Sequence, residues 1–140
     1  MHISARIENA FSTHSVTLTT EGRDQSMTIA PRPDGFGSSV NGGELLCLAL
    51  GTCYTNDIYR EARKRGIAVQ RVEVDVQSEF IAEGAAAAQI RYSARVSADA
   101  PREQILDLIA HTDTVAEIQN TLRQGIAVTL DHSEAQTFRA

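Results

Sequence analysis

The chain has 140 residues, enough for one domain with a core, with 42% hydrophobic residues, 22% charged residues and a net charge of −5. No dense basic stripe interrupts that acidic balance, so neither nucleic acid nor an anionic membrane is an expected partner. No run of about 18 apolar residues reads as a membrane span. "MHISARIENA" lacks the basic-then-apolar pattern of an export signal, and a cytoplasmic protein is expected.

The first 43 residues read as strands and a loop. "SVTLTT" alternates apolar and polar residues at Val16 and Leu18, and "SMTIA" does so at Met27 and Ile29. Between them "EGRDQ" offers Gly22 for a turn, which predicts a hairpin, with "HISARIENA" as a third strand. "PRPDGFGSSVNGG" (31–43) carries two prolines and four glycines and breaks regular structure. A loop of that length is expected to cover something.

Residues 44–65 have helical spacing. The segment opens after Gly-Gly and closes at "KRG", with basic residues in the last turn and Gly66 as the C-cap. Its first half, "ELLCLALGTC", is apolar almost all round, which predicts burial on every side, in the core of the protein or of its dimer. Its second half, "YTNDIYREARKR", is amphipathic and leads toward solvent.

Residues 66–140 begin with a strand pair. "RVEVDVQSEF" places Val72, Val74 and Val76 on one face, with Phe80 after a phase break, and "AQIRYSARVS" does the same with Ile90, Tyr92, Ala94 and Val96. "IAEGAAA" joins them as a hairpin. "ADAPREQILDLIAH" reads as a short helix with Asp99 near its cap and Pro101 in its first turn. "TVAE" (114–117) has the spacing of a capping box for a second short helix, which Gly125 ends. "IAVTL" (126–130) reads as a last strand. The order β-β-β, long helix, β-β, helix, helix, β is α+β with mostly antiparallel pairing.

The only two cysteines, Cys47 and Cys53, share the apolar helix. Six residues on a helix span about 9 Å along the axis and roughly 240° around it. Disulfide Cα distances end near about 7 Å, so the pair cannot bridge within the helix. C-x5-C is no ligand spacing, and His2, His14, His111 and His132 form no H-x3-H pair, so no metal is expected. Cys47, flanked by leucines, reads as a small core hydrophobe. Cys53 sits where the helix turns polar, so both a packing thiol and an accessible, reactive one fit it.

Here the sequence resembles the OsmC/Ohr family of thiol-dependent hydroperoxide reductases. "GGELLCLALGTCYTND" after the Gly-rich loop resembles the family's Leu-Leu-x-x-Ala-x-x-x-Cys helix start, and the order of elements agrees across nearly the whole chain. The resemblance implies an intertwined homodimer crossed by two long central helices, with active sites at the subunit interface. It implies a thiolate that attacks the peroxide O–O bond, and it places that role on Cys53. "EGRDQ" is similar to the family's "GGRDG" turn and puts the thiolate's cationic partner at Arg23. A glutamate that positions the arginine maps near Glu44, which also suits a helix N-terminus.

The chain departs from the family in two respects. The family's glutamate stands ten residues before the cysteine, where this chain has Gly43 with Glu44 one later, so Glu44 reads first as a helix N-terminal charge. The resolving cysteine of a "CPVS"-like stretch is replaced by "HTDTVAEIQ", so Asp113 or a neighbouring threonine stands in its place. A sulfenic acid at Cys53 would then need an external thiol reductant. The alternative is a non-catalytic dimer of this fold whose interface pocket binds a small apolar or thiol-containing ligand. No cofactor is expected.

Among the neighbours of Cys53, Asp57 would raise the thiol's pKa if turned inward. It is expected to face solvent or an arginine. Tyr54 and Tyr59 read as core packing, with the lining of an apolar interface pocket as the alternative. Arg60, Arg63, Lys64 and Arg65 read as charges that suit a helix C-terminus, as does His111.

Overall fold

The computed structural model of the chain describes residues 1–138, which fall into two compact units. The first comprises Met1–Ala49 and Gln77–Arg91, the second Leu50–Val76 and the residues from Tyr92 onward.

In the first unit, β1 (Ile3–Ala10), β2 (Thr13–Thr20) and β3 (Arg23–Ser26) form an antiparallel sheet in that order. The register pairs Ile7 with Val16 and Ala5 with Leu18, so the alternating apolar residues share one face. The hairpin predicted around Gly22 forms, with a tighter turn than expected. Only Glu21 (φ 50°) and Gly22 (φ 76°) make it, and Arg23 already pairs with Thr20. Two successive positive φ values match the twist of the flanking strands, which is why the two-residue turn closes so early. β3 accordingly ends at Ser26, before the Met27–Ile29 stretch expected to carry it.

The loop at 31–43 does cover something. The Phe36 ring meets Phe11 edge-on at 5.2 Å, at the tip of the β1–β2 hairpin. Asn9 brackets Gly37, donating to its carbonyl (3.1 Å) and accepting its N–H (3.0 Å). Gly35 (φ 93°) lies so close to the Phe11 ring that no side chain would fit there.

Helix α1 (Gly42–Lys64) agrees with the expected central helix, and Gly66 (φ 67°) ends it. Its burial only partly follows the expected pattern: Leu50 in the first half is buried. In the single chain, Leu48 in the apolar first half is 50% exposed, whereas Tyr54, Asp57, Ile58, Glu61 and Ala62 are buried. The reason is periodicity: these five fall on one i, i+3, i+4 stripe, which a single face of packing can cover.

β4 (Ala68–Glu79) and β5 (Gln89–Asp99) form a two-stranded sheet. Val72, Val74, Tyr92, Ala94 and Val96 pack onto a second-unit core of Tyr54, Ile58, Ala62, Leu108 and Ala116. The strict alternation read from the sequence is what aims them there.

Helix α2 (Arg102–Val115) runs longer than expected, and the "TVAE" capping box does not form: the next helix opens at Ala116 with no side-chain cap. The Thr114 hydroxyl donates back to the His111 carbonyl (2.6 Å), so it serves α2 instead of opening α3. Ala116, extended and fully buried, separates α2 from α3 (Glu117–Gln124), which ends at Gly125 (φ 63°). Residues 126–130, expected as a last strand, have no regular structure here, and Ile126, Val128 and Leu130 are exposed. A strand needs a neighbour for its N–H and C=O groups, and these residues find none among the described residues.

Leu108 is fully buried at the centre of the second core. Leu108→Ala should lower unfolding free energy by about 2–5 kcal/mol in a denaturant titration. A loss below about 1 kcal/mol would show that this core is misassigned.

Candidate active site

Cys53 and Asp57 lie one turn apart on α1, and Arg60 follows at i+7, on the same face. Helix α3 approaches that face because Gln119, itself buried, donates from Nε2 to the Leu50 carbonyl (3.1 Å). This brings Glu117, the first residue of α3, over Cys53.

The half-buried Cys53 Sγ stands 3.4 Å from Asp57 Oδ2 and 3.8 Å from Glu117 Oε2. Each carboxylate gives its other oxygen to Arg60: Nη1 lies 3.1 Å from Asp57 Oδ1 and 2.7 Å from Glu117 Oε1. Arg60 Nε also reaches Glu61 Oε2 at 2.8 Å. One guanidinium therefore holds three carboxylates, and two of them present an oxygen to the sulfur. The Cys53, Asp57 and Glu117 donor atoms all lie within 4.8 Å of one another, close enough for one small cation, but Arg60 already provides the positive charge on both carboxylates.

The sulfur's environment pulls in two directions. Burial raises the Cys53 thiol above its ordinary pKa, and the charges of Asp57 and Glu117 raise it further. The Ile118 backbone N–H, in the first turn of α3, favours the thiolate. Burial also raises Asp57, as does its hydrogen bond with Glu117, against the pull of Cys53 and Arg60. Glu117 is lowered by its own backbone N–H at the helix start and by Arg60.

The expectation that an inward Asp57 raises the thiol holds, and Asp57 does face an arginine. It does not face solvent, being only 6% exposed. Tyr54 is core, as expected, and donates its hydroxyl to the Ile109 carbonyl (2.7 Å). Tyr59 is 39% exposed, so the packing role expected of it does not hold in the single chain. His111 lies inside α2, not at its end, and meets Glu61 (3.1 Å).

Arg23 and Glu44 belong to the first unit and Cys53 to the second. Arg23 is exposed at the start of β3 and lines a surface hollow with Thr20, Glu21, Asp24 and Gln25. Among the described residues it has no ion-pair partner. Glu44 closes a capping box: its Oε1 accepts the Asn41 N–H (3.0 Å) while Asn41 Oδ1 accepts the Glu44 N–H (2.8 Å). Cys47, half-buried, sits 3.2 Å from the Ser78 hydroxyl. Asp113 accepts the Tyr92 hydroxyl and pairs with Arg123 (2.7 Å).

From the sequence Glu117 reads only as part of a capping box, Ile118 carries no signal, and Arg60 reads only as a helix-end charge. The Cys53–Asp57–Arg60 spacing was a legible signal. Nothing in the sequence placed the start of α3 over it.

Fold and site together describe an α+β protein that carries a thiol on a long central helix, facing an arginine-held carboxylate pair. The OsmC-like protein family model matches residues 35–131, well over half of the chain, and the chain belongs to that family. Solved structures agree on the fold. An OsmC-like protein from Mycoplasma pneumoniae is 18% identical, with a TM-score of 0.59 over 89% of this chain and 87% of that one. An organic hydroperoxide resistance protein, OsmC, from Legionella pneumophila is 17% identical, with a TM-score of 0.53 over 88% and 90%. The organic hydroperoxide resistance protein OhrB of Bacillus subtilis is 14% identical, with a TM-score of 0.54 over 89% and 93%. No curated protein matched the sequence. No helix among the described residues is long and apolar enough to cross a membrane.

Glu61 is 4% exposed and is held by Arg60, Lys64 and His111, with Arg60 the strongest influence; its carboxyl is pulled down to about 2. A depressed folded-state pKa stabilises the fold above the unfolded value and loses that contribution as pH falls through the folded one. Stability followed by circular dichroism should therefore fall between the ordinary glutamate value of 4.5 and about 2, and Glu61→Gln should flatten that fall. An equally steep fall in the variant would remove Glu61 from the account.

Proposed function

We propose that the protein is a homodimeric, thiol-dependent hydroperoxide reductase with Cys53 as the peroxide-reacting thiol. The observation that carries this reading is the placement of Cys53. It is half-buried and faces polar groups that can move a proton and stabilise charge. The hydroperoxide resistance proteins of the same fold support the substrate class.

The chemistry balances without a second cysteine in the late helices. The sulfur bonds to one peroxide oxygen, the O–O bond breaks, and the other oxygen leaves as an alcohol, giving a sulfenic acid at Cys53. One external thiol condenses with it to a mixed disulfide and releases water. A second external thiol then frees Cys53 and leaves as part of a disulfide. Arg23 is the cation proposed to stabilise negative charge on the sulfur and the leaving oxygen. Glu44 is proposed to orient Arg23 through the carboxylate oxygen that the capping box does not use.

The homodimer reading is supported by apolar residues left bare in the single chain. Leu48, Ile3, Ile7, Val128 and Leu130 are between 50% and 98% exposed, and a second copy would cover them. A second reading, a non-catalytic dimer that binds a small apolar or thiol-containing ligand, is favoured by one observation. Burial and two carboxylates keep the Cys53 thiol protonated.

One comparison tests both. Wild type should consume an organic hydroperoxide in the presence of a dithiol, and Cys53→Ser should fall to the buffer rate while sedimenting at the same dimer mass. Equal consumption by the two proteins above the buffer rate would remove Cys53 as the reacting thiol, and none by wild type would favour the non-catalytic reading. A monomer mass would remove the dimer.

A further inference from the structure

We propose that Asp57 is the proton carrier of the Cys53 reaction: its Oδ2 takes the thiol proton as the sulfur attacks a hydroperoxide, then delivers it to the departing alkoxide oxygen. The inference rests on reading Cys53 as the peroxide-reacting thiol.

Geometry selects the residue. The Cys53 thiol donates toward Asp57 Oδ2 at 3.4 Å. The other Asp57 oxygen is fixed by Arg60 at 3.1 Å, so the carboxylate is anchored at one end and open to the sulfur at the other. Glu117 has the same divided arrangement but makes the poorer carrier. Its oxygen is farther from the sulfur, at 3.8 Å, and its side chain is 61% exposed against 8% for Asp57. Proton affinity separates the two further. Burial raises that of Asp57, whereas the α3 start and Arg60 lower that of Glu117. A general base works best when its affinity approaches that of the group it serves, which favours Asp57.

The need for a carrier follows from the same site. A thiol kept protonated by burial is a weak nucleophile unless the proton leaves as the S–O bond forms. The leaving alkoxide, in turn, must gain a proton. One carboxylate that accepts from sulfur and donates to oxygen meets both needs with no net proton change. Sulfur is oxidised by two electrons, the peroxide is reduced by two, and the products are a sulfenic acid and an alcohol. The groups that face Asp57 in its own unit are Cys53 and Arg60 on α1 and Glu117 on α3. Arg60 remains charged throughout the working range, held there first by Glu61. Asp57 must be ionised to act, so activity is lost as pH falls through its raised pKa.

The test is the rate of Cys53 oxidation by cumene hydroperoxide, measured against pH for wild type, Asp57→Asn and Glu117→Gln. In wild type the rate should be nearly level between the Asp57 and Cys53 titrations, because the neutral thiol reacts with its base in place. Asp57→Asn should be about 100-fold slower at neutral pH and should rise with the thiolate fraction. Glu117→Gln should keep the level profile. A purely electrostatic Asp57 predicts the opposite sign, since removing a negative charge beside the sulfur creates more thiolate and a faster variant. An Asp57→Asn rate equal to or above that of wild type therefore overturns the proposal. Should Asp57→Asn fail to fold, wild type and Glu117→Gln decide together: a wild-type rate that climbs with the thiolate fraction, or a level profile that is lost in Glu117→Gln, overturns it, and a level profile in both supports it. Rapid wild-type oxidation at Cys53 with that climbing profile removes Asp57 alone. No oxidation at Cys53 removes both Asp57's role and the reading beneath it.

Discussion

The second unit is organised around the Arg60 guanidinium. Two of the carboxylates it holds, Asp57 and Glu61, are buried, and buried carboxylates without a cation would be strongly destabilising. The third, Glu117, ties the start of α3 to the middle of α1. A lysine would provide the charge at a single point. The Arg60 fork instead spreads the contacts over two nitrogens held in one plane, Nη1 for Asp57 and Glu117 and Nε for Glu61. Arg60 thereby fixes where α3 begins, which carboxylate oxygens remain over, and what the Cys53 sulfur meets.

That arrangement explains why the site differs from a thiol beside a bare cation. The positive charge is one atom layer removed, spent on the carboxylates, and the sulfur sees their oxygens and a single backbone N–H. The net effect favours the protonated thiol. The reaction proposed at Cys53 therefore depends on moving a proton as much as on holding a charge. The late helices hold no second thiol. Asp113 is instead a structural acceptor for Tyr92 and Arg123, and it helps raise the buried Tyr54 hydroxyl to about 12, second to burial itself.

The sequence was most readable where structure is local. Glycines set the ends of α1 and α3, and alternation fixed the inward faces of β4 and β5. The long-range features were not readable. Thr114 suits capping α3 and bonding back within α2 equally well by spacing, and it bonds back to the His111 carbonyl. Strand propensity at residues 126–130 could not show whether an edge was available to pair with. In α1, composition alone pointed to a buried first half, whereas the stripe from Tyr54 to Ala62, with its two buried acids, is the one covered in the single chain. Asp57 and Glu61 looked like surface charges because nothing local reveals that one arginine will satisfy both.

The central claim is that the two cysteines are chemically unequal, with Cys53 the site. The direct measurement is intact-mass and peptide analysis after one equivalent of cumene hydroperoxide, in the presence of a sulfenic-acid trap. The account predicts fast labelling at Cys53 and almost none at Cys47. Equal or slow labelling of both thiols would contradict it, and would leave a protein of this family that has kept the fold without the reaction.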